Sequence, residues 1–213
     1  MSAIGNRIPL QVDEAEGGAP PLSIVLAPGA GAGMDSAFME QVARALTAES
    51  FRVVRFDFPY MQEARETGRR TRPDFPPVLE QTWLRVVEQL GEPSRLVIGG
   101  KSMGGRIASM VADRAGVKGL VCLGYPFHPA GRPQILRVAH LKELKTPALF
   151  LQGERDALGS RTEIAGYDLS SAIRLVFLAD GDHSFKPRKA SGRTHEENLG
   201  QAVREIAAFC RAL

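Results

Sequence analysis

Ser102 stands between glycines two residues away on either side, in Gly100-Lys-Ser-Met-Gly104, a spacing that suits a hydroxyl nucleophile. The apolar run Leu96-Val-Ile-Gly leads into it, and Ile107, Met110 and Val111 follow at helical period. The serine therefore falls where a strand turns at once into a helix. Such a turn forces its central residue into strained backbone angles, and side chains two positions before or after would collide across it. The helix behind Ser102 would also present backbone N–H groups and the positive end of its dipole to a developing oxyanion. The same letters contain the close of a phosphate-binding loop, but that motif needs Gly-x-x-x-x-Gly-Lys-Ser. With Lys101 as its lysine the first glycine would fall on Arg95, and the loop would be Leu96 to Gly99, an apolar strand that cannot cradle phosphates.

A serine hydroxyl needs a base to activate it. Of the four histidines, His183 is placed for this, in Asp180-Gly-Asp-His-Ser-Phe just beyond the last apolar run and ahead of the C-terminal helix. A chain order of nucleophile, acid, base then asks for a carboxylate past the preceding strand, where Leu149-Phe-Leu-Gln-Gly-Glu-Arg-Asp156 offers Asp156. From there it can hold the imidazole in one tautomer and stabilise the imidazolium. Glu154, Asp180 and Asp182 compete, but Glu154 is nearer the strand end and the other two are so close to His183 that they would shape its loop. His140 and His195 fall in helical stretches and read as surface residues, whereas His128 lies in a loop after a strand and could touch substrate. An oxyanion hole needs a second backbone donor from the loop after the first strand. Ala27-Pro-Gly-Ala-Gly-Ala-Gly33 lets the main chain approach a carbonyl, so Ala30, with Gly31 as the near alternative, is expected to pair with the N–H of Met103. Its Gly29-x-Gly31-x-Gly33 spacing differs from the Gly-x-Gly-x-x-Gly of dinucleotide sites.

Short apolar runs must carry these residues: Leu22 to Ala27, Val53 to Asp57, Leu96 to Gly99, Leu120 to Gly124, Ala148 to Leu151 and Leu175 to Leu178. Their lack of polar alternation fits strands buried on both faces of a parallel sheet. Between them lie stripes of helical period: Phe38, Val42 and Leu46, with Asp35 as N-cap; Trp83, Val86, Val87 and Leu90; and, at the end, Leu199, Val203, Ile206 and Cys210. The expected fold is α/β, a doubly wound, mostly parallel sheet of about six or seven strands with helices on both faces, in one domain spanning residues 1–213. Residues 8 to 13 could add an edge strand. Met61 to Pro77 and Tyr125 to Gln134, rich in proline and polar residues, read as loops on the edge where ligands bind.

The 213 residues are 44% hydrophobic and 24% charged, with 27 Lys+Arg against 24 Asp+Glu, which provides no polycation for nucleic acid and no stretch long enough to span a bilayer. Cys122 and Cys210 sit in apolar surroundings and read as core, and Met1 to Pro21 lacks the pattern of a secretion signal, so a cytoplasmic location is expected.

Together the stretches Leu-Ala-Pro-Gly-Ala-Gly-Ala-Gly, Gly-Gly-Lys-Ser-Met-Gly-Gly-Arg, Phe-Leu-Gln-Gly-Glu-Arg-Asp and Asp-Gly-Asp-His-Ser-Phe resemble the α/β-hydrolase superfamily, specifically its small lidless members similar to the dienelactone hydrolases, from Leu22 to the last helix. The resemblance implies a serine hydrolase acting on a small ester, thioester or related acyl compound through Ser102, His183 and Asp156, with no metal or organic cofactor. Dienelactone hydrolases carry cysteine where this chain has Ser102, so their substrate does not transfer, and Pro28 replaces a histidine found in many relatives. The same branch is similar to a scaffold subunit of a nuclear acetyltransferase complex, which keeps a non-catalytic interaction module as the alternative. The roughly two dozen residues between the strands ending at Gly124 and starting at Ala148 are too few for a large lid, so an open pocket is expected, lined by Phe58, Tyr60, Tyr125, Phe127 and His128 with Met103, or else these residues are ordinary packing. Arg65, Arg69, Arg70 and Arg72, then Lys186, Arg188, Lys189 and Arg193, would favour anionic acyl or leaving groups if they face that pocket, and are otherwise solvated loop charge. Oligomeric state cannot be read from these residues.

Overall fold

The computed structural model describes residues 7–15, 22–69 and 71–213, so the expectations for the extreme N-terminus and for Arg70 concern residues outside the described ones. Along the chain run β1 (Leu10–Asp13), β2 (Ser23–Ala27), α1 (Ala37–Ala48), β3 (Arg52–Phe56), α2 (Pro59–Thr67), α3 (Pro76–Leu90) and β4 (Leu96–Lys101). There follow α4 (Met103–Ala115), β5 (Gly119–Leu123), β6 (Ala148–Gly153), the one-turn α5 (Arg161–Ile164), β7 (Ile173–Leu178) and α6 (His195–Ala212). The strands form one seven-stranded sheet in the order β1-β3-β2-β4-β5-β6-β7. All neighbours are parallel except β1, which runs antiparallel to β3 at the edge that residues 8 to 13 suggested.

Both faces of this sheet are apolar because successive residues of a strand point to opposite sides. Ile24 and Leu26 of β2 pack with Met39, Val42 and Leu46 of α1 and with Val203 and Ile206 of α6. Val25 and Ala27, one residue out of step, pack with Trp83 and Val86 of α3 and Ile107 and Val111 of α4. The two free cysteines are buried on opposite faces, Cys122 against α4 and Cys210 on α6. Among the described residues no helix is long and apolar enough to cross a membrane.

Three local expectations are corrected. Met61 to Pro77 is not a continuous loop, since α2 occupies its first part and α3 begins at Pro76. Proline opens both helices, where a missing N–H is harmless, and Gly68 closes α2 at φ 67°. The polar composition concealed α2 because Tyr60 is its one fully buried residue. Asp35 is not the cap of α1: Ser36 holds that position without a side-chain cap bond, and the Asp35 carboxylate is taken by Arg65. Strands also run longer than their apolar letters, with β4 continuing to Lys101 and β6 to Gly153.

Trp83 connects this framework to the turn at residue 102. It is fully buried, meets Phe56 edge-on at 4.7 Å between ring centroids, and donates from Nε1 to the carbonyl of Gly104 at 3.3 Å. Trp83→Ala is expected to lower the unfolding free energy by about 3–5 kcal/mol in urea titrations, because an indole-sized void cannot collapse between sheet and helix. A loss below about 1 kcal/mol would mean that this face is not tightly packed.

Candidate active site

Between β4 and α4 there is one residue, Ser102, with φ 51° and ψ −114°. Its N–H donates to the carbonyl of Leu123 at 3.0 Å, and its own carbonyl accepts from Arg106 at 3.0 Å, so the sheet fixes one side of the turn and the helix the other. The flanking glycines are required by space. A Cβ on Gly100, which has φ 148°, would lie 2.0 Å from the carbonyl oxygen of Ala27, and one on Gly104 would lie 2.2 Å from the same atom. The end of β2 thus presses directly against the elbow.

His183 and Asp156 arrive from the ends of β7 and β6, two strands that are neighbours in the sheet. His183 Nε2 lies 2.9 Å from Ser102 Oγ, and His183 Nδ1 lies 2.8 Å from Asp156 Oδ2. A carboxylate can only accept here, so Nδ1 carries the proton and Nε2 is left to accept from the serine hydroxyl. Asp156 is completely buried, yet its oxygens are satisfied: Oδ2 also accepts from Gln152 Nε2 at 2.8 Å, and Oδ1 from the N–H of Leu158 at 2.8 Å. Gln152, the last side chain of β6, is itself fully buried and accepts from the N–H of Tyr125 at 2.8 Å. It was not foreseen as a site residue, and the available signal was a lone amide closing the apolar run Ala-Leu-Phe-Leu. Of the competing acids, Glu154 accepts from Arg161 and from the N–H of Asp180, Asp180 is held by Arg188, and Asp182 caps the N–H groups of Ser184 and Lys186.

The glycine-rich segment after β2 is held in place by a polar network that the sequence did not reveal. Asp57, just past β3 and almost wholly buried, accepts from the N–H of Met34 at 2.7 Å. Arg65 on α2 donates to Asp57 and forks onto both oxygens of Asp35, and Arg55 donates to the carbonyl of Met34. The N–H of Gly31 donates to the hydroxyl of Tyr60 at 3.2 Å, which commits that donor.

A cavity of about 290 Å³ opens on Ser102 and His183, walled by Gly29, Ala30, Ser36, Phe38, Met39 and Lys101 among others. Phe58, Tyr60, Tyr125, Phe127 and His128 do not line it. Tyr125 and Phe127 are buried, Tyr125 stacked on Phe150 and Phe127 tilted against both rings, and Phe58 packs on Phe56. Tyr60 serves the Gly31 loop, and His128 lies buried with Nε2 3.4 Å from Glu163. Aromatic residues after strand ends packed inward here because they could cover more sheet that way than by facing solvent. His140 and His195 are half-buried and bonded to Ser109 and to the Ser184 carbonyl, and neither walls this cavity. Two cations of the basic loops are paired locally, Arg65 with Asp35 and Asp57 and Arg188 with Asp180, while Arg193 donates to the neutral amide oxygens of Asn198 and Gln201. Arg69, Arg72, Lys186 and Lys189 are exposed.

A family model described as alpha/beta hydrolase domain matches residues 20–211. Among solved structures, a dienelactone hydrolase from Anabaena variabilis is 23% identical, covers 94% of this chain and 89% of its own, and superposes with a TM-score of 0.65. An α/β serine hydrolase without lid from Xanthomonas campestris is 21% identical over 92% of this chain and 88% of its own, with a TM-score of 0.64. The esterase domain of a Rhodothermus marinus protein is 16% identical over 98% and 94%, with a TM-score of 0.70. These structural likenesses establish a shared fold.

The Arg65 bridge predicts a pH-dependent stability. Its hydrogen bonds hold the pKa of Asp35 below 3.8, so the pair stabilises the fold above the unfolded pKa and that contribution disappears as pH falls through the folded value. Arg65→Met is expected to melt lower than wild type at pH 7 and to lose less of its Tm between pH 5 and 3. Parallel melting curves across that range would show that the bridge contributes nothing.

Proposed function

The chain belongs to the alpha/beta hydrolase domain family, and from that premise we propose that it is a serine hydrolase of small esters, thioesters or related acyl compounds, with Ser102, His183 and Asp156 as its triad. The observation that carries this reading is the continuous relay from the Ser102 hydroxyl through both nitrogens of His183 to the buried Asp156 carboxylate, at 2.9 and 2.8 Å. In this reading Ser102 Oγ attacks the carbonyl carbon as His183 Nε2 removes its proton. Asp156 stabilises the resulting imidazolium, whose proton then passes to the departing alcohol or thiol as the acyl–oxygen or acyl–sulfur bond breaks. Water, deprotonated by the same imidazole, releases the acid and restores the serine.

Two backbone donors would hold the oxyanion. The N–H of Met103, first residue of α4, has no acceptor within its own helix, and the dipole favours negative charge there. Ala30 supplies the second, in preference to Gly31, whose N–H is already given to Tyr60. An open cavity of about 290 Å³ suits a small acyl group or one that protrudes into solvent. The esterase and dienelactone hydrolase structures that share the fold agree with ester chemistry. The local pairing of Arg65 and Arg188 removes two of the loop cations that would have favoured anionic substrates.

A fluorophosphonate probe tests this directly. Wild type is expected to label and Ser102→Ala to lose the label. Asp156→Asn is expected to reduce turnover of p-nitrophenyl acetate by about 10³–10⁴-fold, because the imidazole then loses the partner that sets its tautomer. Folded wild type that resists the probe is the outcome expected of a non-catalytic interaction module.

A further inference from the structure

Lys101 ends β4 immediately before the nucleophile, is 8% exposed and forms part of the cavity wall, yet its Nζ is buried with no hydrogen-bond acceptor among the described residues. An ammonium stripped of water and given no acceptor is strongly disfavoured, so its retention beside a reactive serine calls for a physical reason. Its place is defined by the bare backbone of Gly124: a Cβ there would lie 3.0 Å from Lys101 Nζ and 3.4 Å from His183 Nδ1. The charged and titratable groups that face it are Asp156, in the turn after β6, and Asp182 and His183, in the loop after β7. From α1 the ring of Phe38 approaches, its centroid 5.6 Å from Nζ.

Building on the serine-hydrolase reading, we propose that Lys101 is a positioning residue of the triad, whose ammonium faces the Asp156 carboxylate and opposes the positive charge that His183 gains on taking the Ser102 proton. A cation at this position makes the proton transfer to His183 harder, since two like charges then share a poorly solvated site. Loss of the Lys101 proton to solvent relieves this effect. Burial, which outweighs the attraction of Asp156 and Asp182, draws the pKa of Lys101 down to about 8, within reach of ordinary working conditions.

The test is the second-order rate of fluorophosphonate labelling from pH 5 to 10 for wild type, Lys101→Met and Lys101→Arg, with thermal melts to verify folding. This readout needs no knowledge of the natural substrate. Wild type is expected to rise twice, first as the imidazole loses its proton and again, by about threefold or more, near pH 8. Lys101→Met, with no ammonium at this position, is expected to rise once and to show no second step near pH 8. Lys101→Arg, always charged, is expected to keep the first step and lose the second. A single rise in wild type overturns the inference even if both variants fail to fold, and so does a Lys101→Met curve that retains both steps. In those cases Ser102 still labels and the hydrolase reading stands. A folded wild type that never labels removes both.

Discussion

Six residues of β4 give way to a helix after a single intervening residue, and a chain can make that change only if the intervening backbone leaves the common conformations. Ser102 does so, at a cost of about 1–3 kcal/mol that the surrounding packing must offset. The offset is visible in what encloses the turn. The carbonyl of Ala27 fills the space that side chains at 100 and 104 would need, Leu123 accepts the serine N–H, and Trp83 binds the carbonyl of Gly104 from the neighbouring helix of the same layer. A hydroxyl held this way projects from the sheet edge in one direction, and every other group of the site is arranged around it.

The second constraint is electrostatic. Asp156 lies in full burial, where an unpaired carboxylate would be strongly disfavoured, and it is stable there because His183, Gln152 and the N–H of Leu158 satisfy it together. The same logic holds the glycine-rich segment after β2, where Asp57, Arg65, Asp35 and Arg55 pin both ends of Met34 while Tyr60 takes the N–H of Gly31. The geometry of this site depends on networks in which each buried polar atom has a partner. Lys101 Nζ is an exception, and its position next to the His183–Asp156 pair makes it informative.

Legibility in the sequence followed how local the responsible physics was. Buried parallel strands advertise themselves as unbroken apolar runs, so the sheet and the covering helices were readable, and the meeting of Ser102, His183 and Asp156 followed because each sits just past the end of its own strand. Residues whose roles depend on distant partners were not readable. Nothing near Gln152 indicates that it will clasp Asp156, and Arg65 looked like loop charge until α2 carried it onto Asp35 and Asp57. Phe58, Tyr125 and Phe127 follow strand ends as pocket residues do, but their rings turned into the core, a choice governed by packing rather than by local pattern.

Whether Ser102 forms a covalent acyl intermediate is the question on which the account turns. Intact-mass spectrometry of the protein quenched in acid within seconds of mixing with a p-nitrophenyl ester, followed by peptide mapping, addresses it most directly. The account predicts a mass increase of one acyl group, localised to the peptide containing Ser102 and absent from Ser102→Ala. Hydrolysis that proceeds with the acyl group on a different residue, or turnover that survives unchanged in Ser102→Ala, would contradict it.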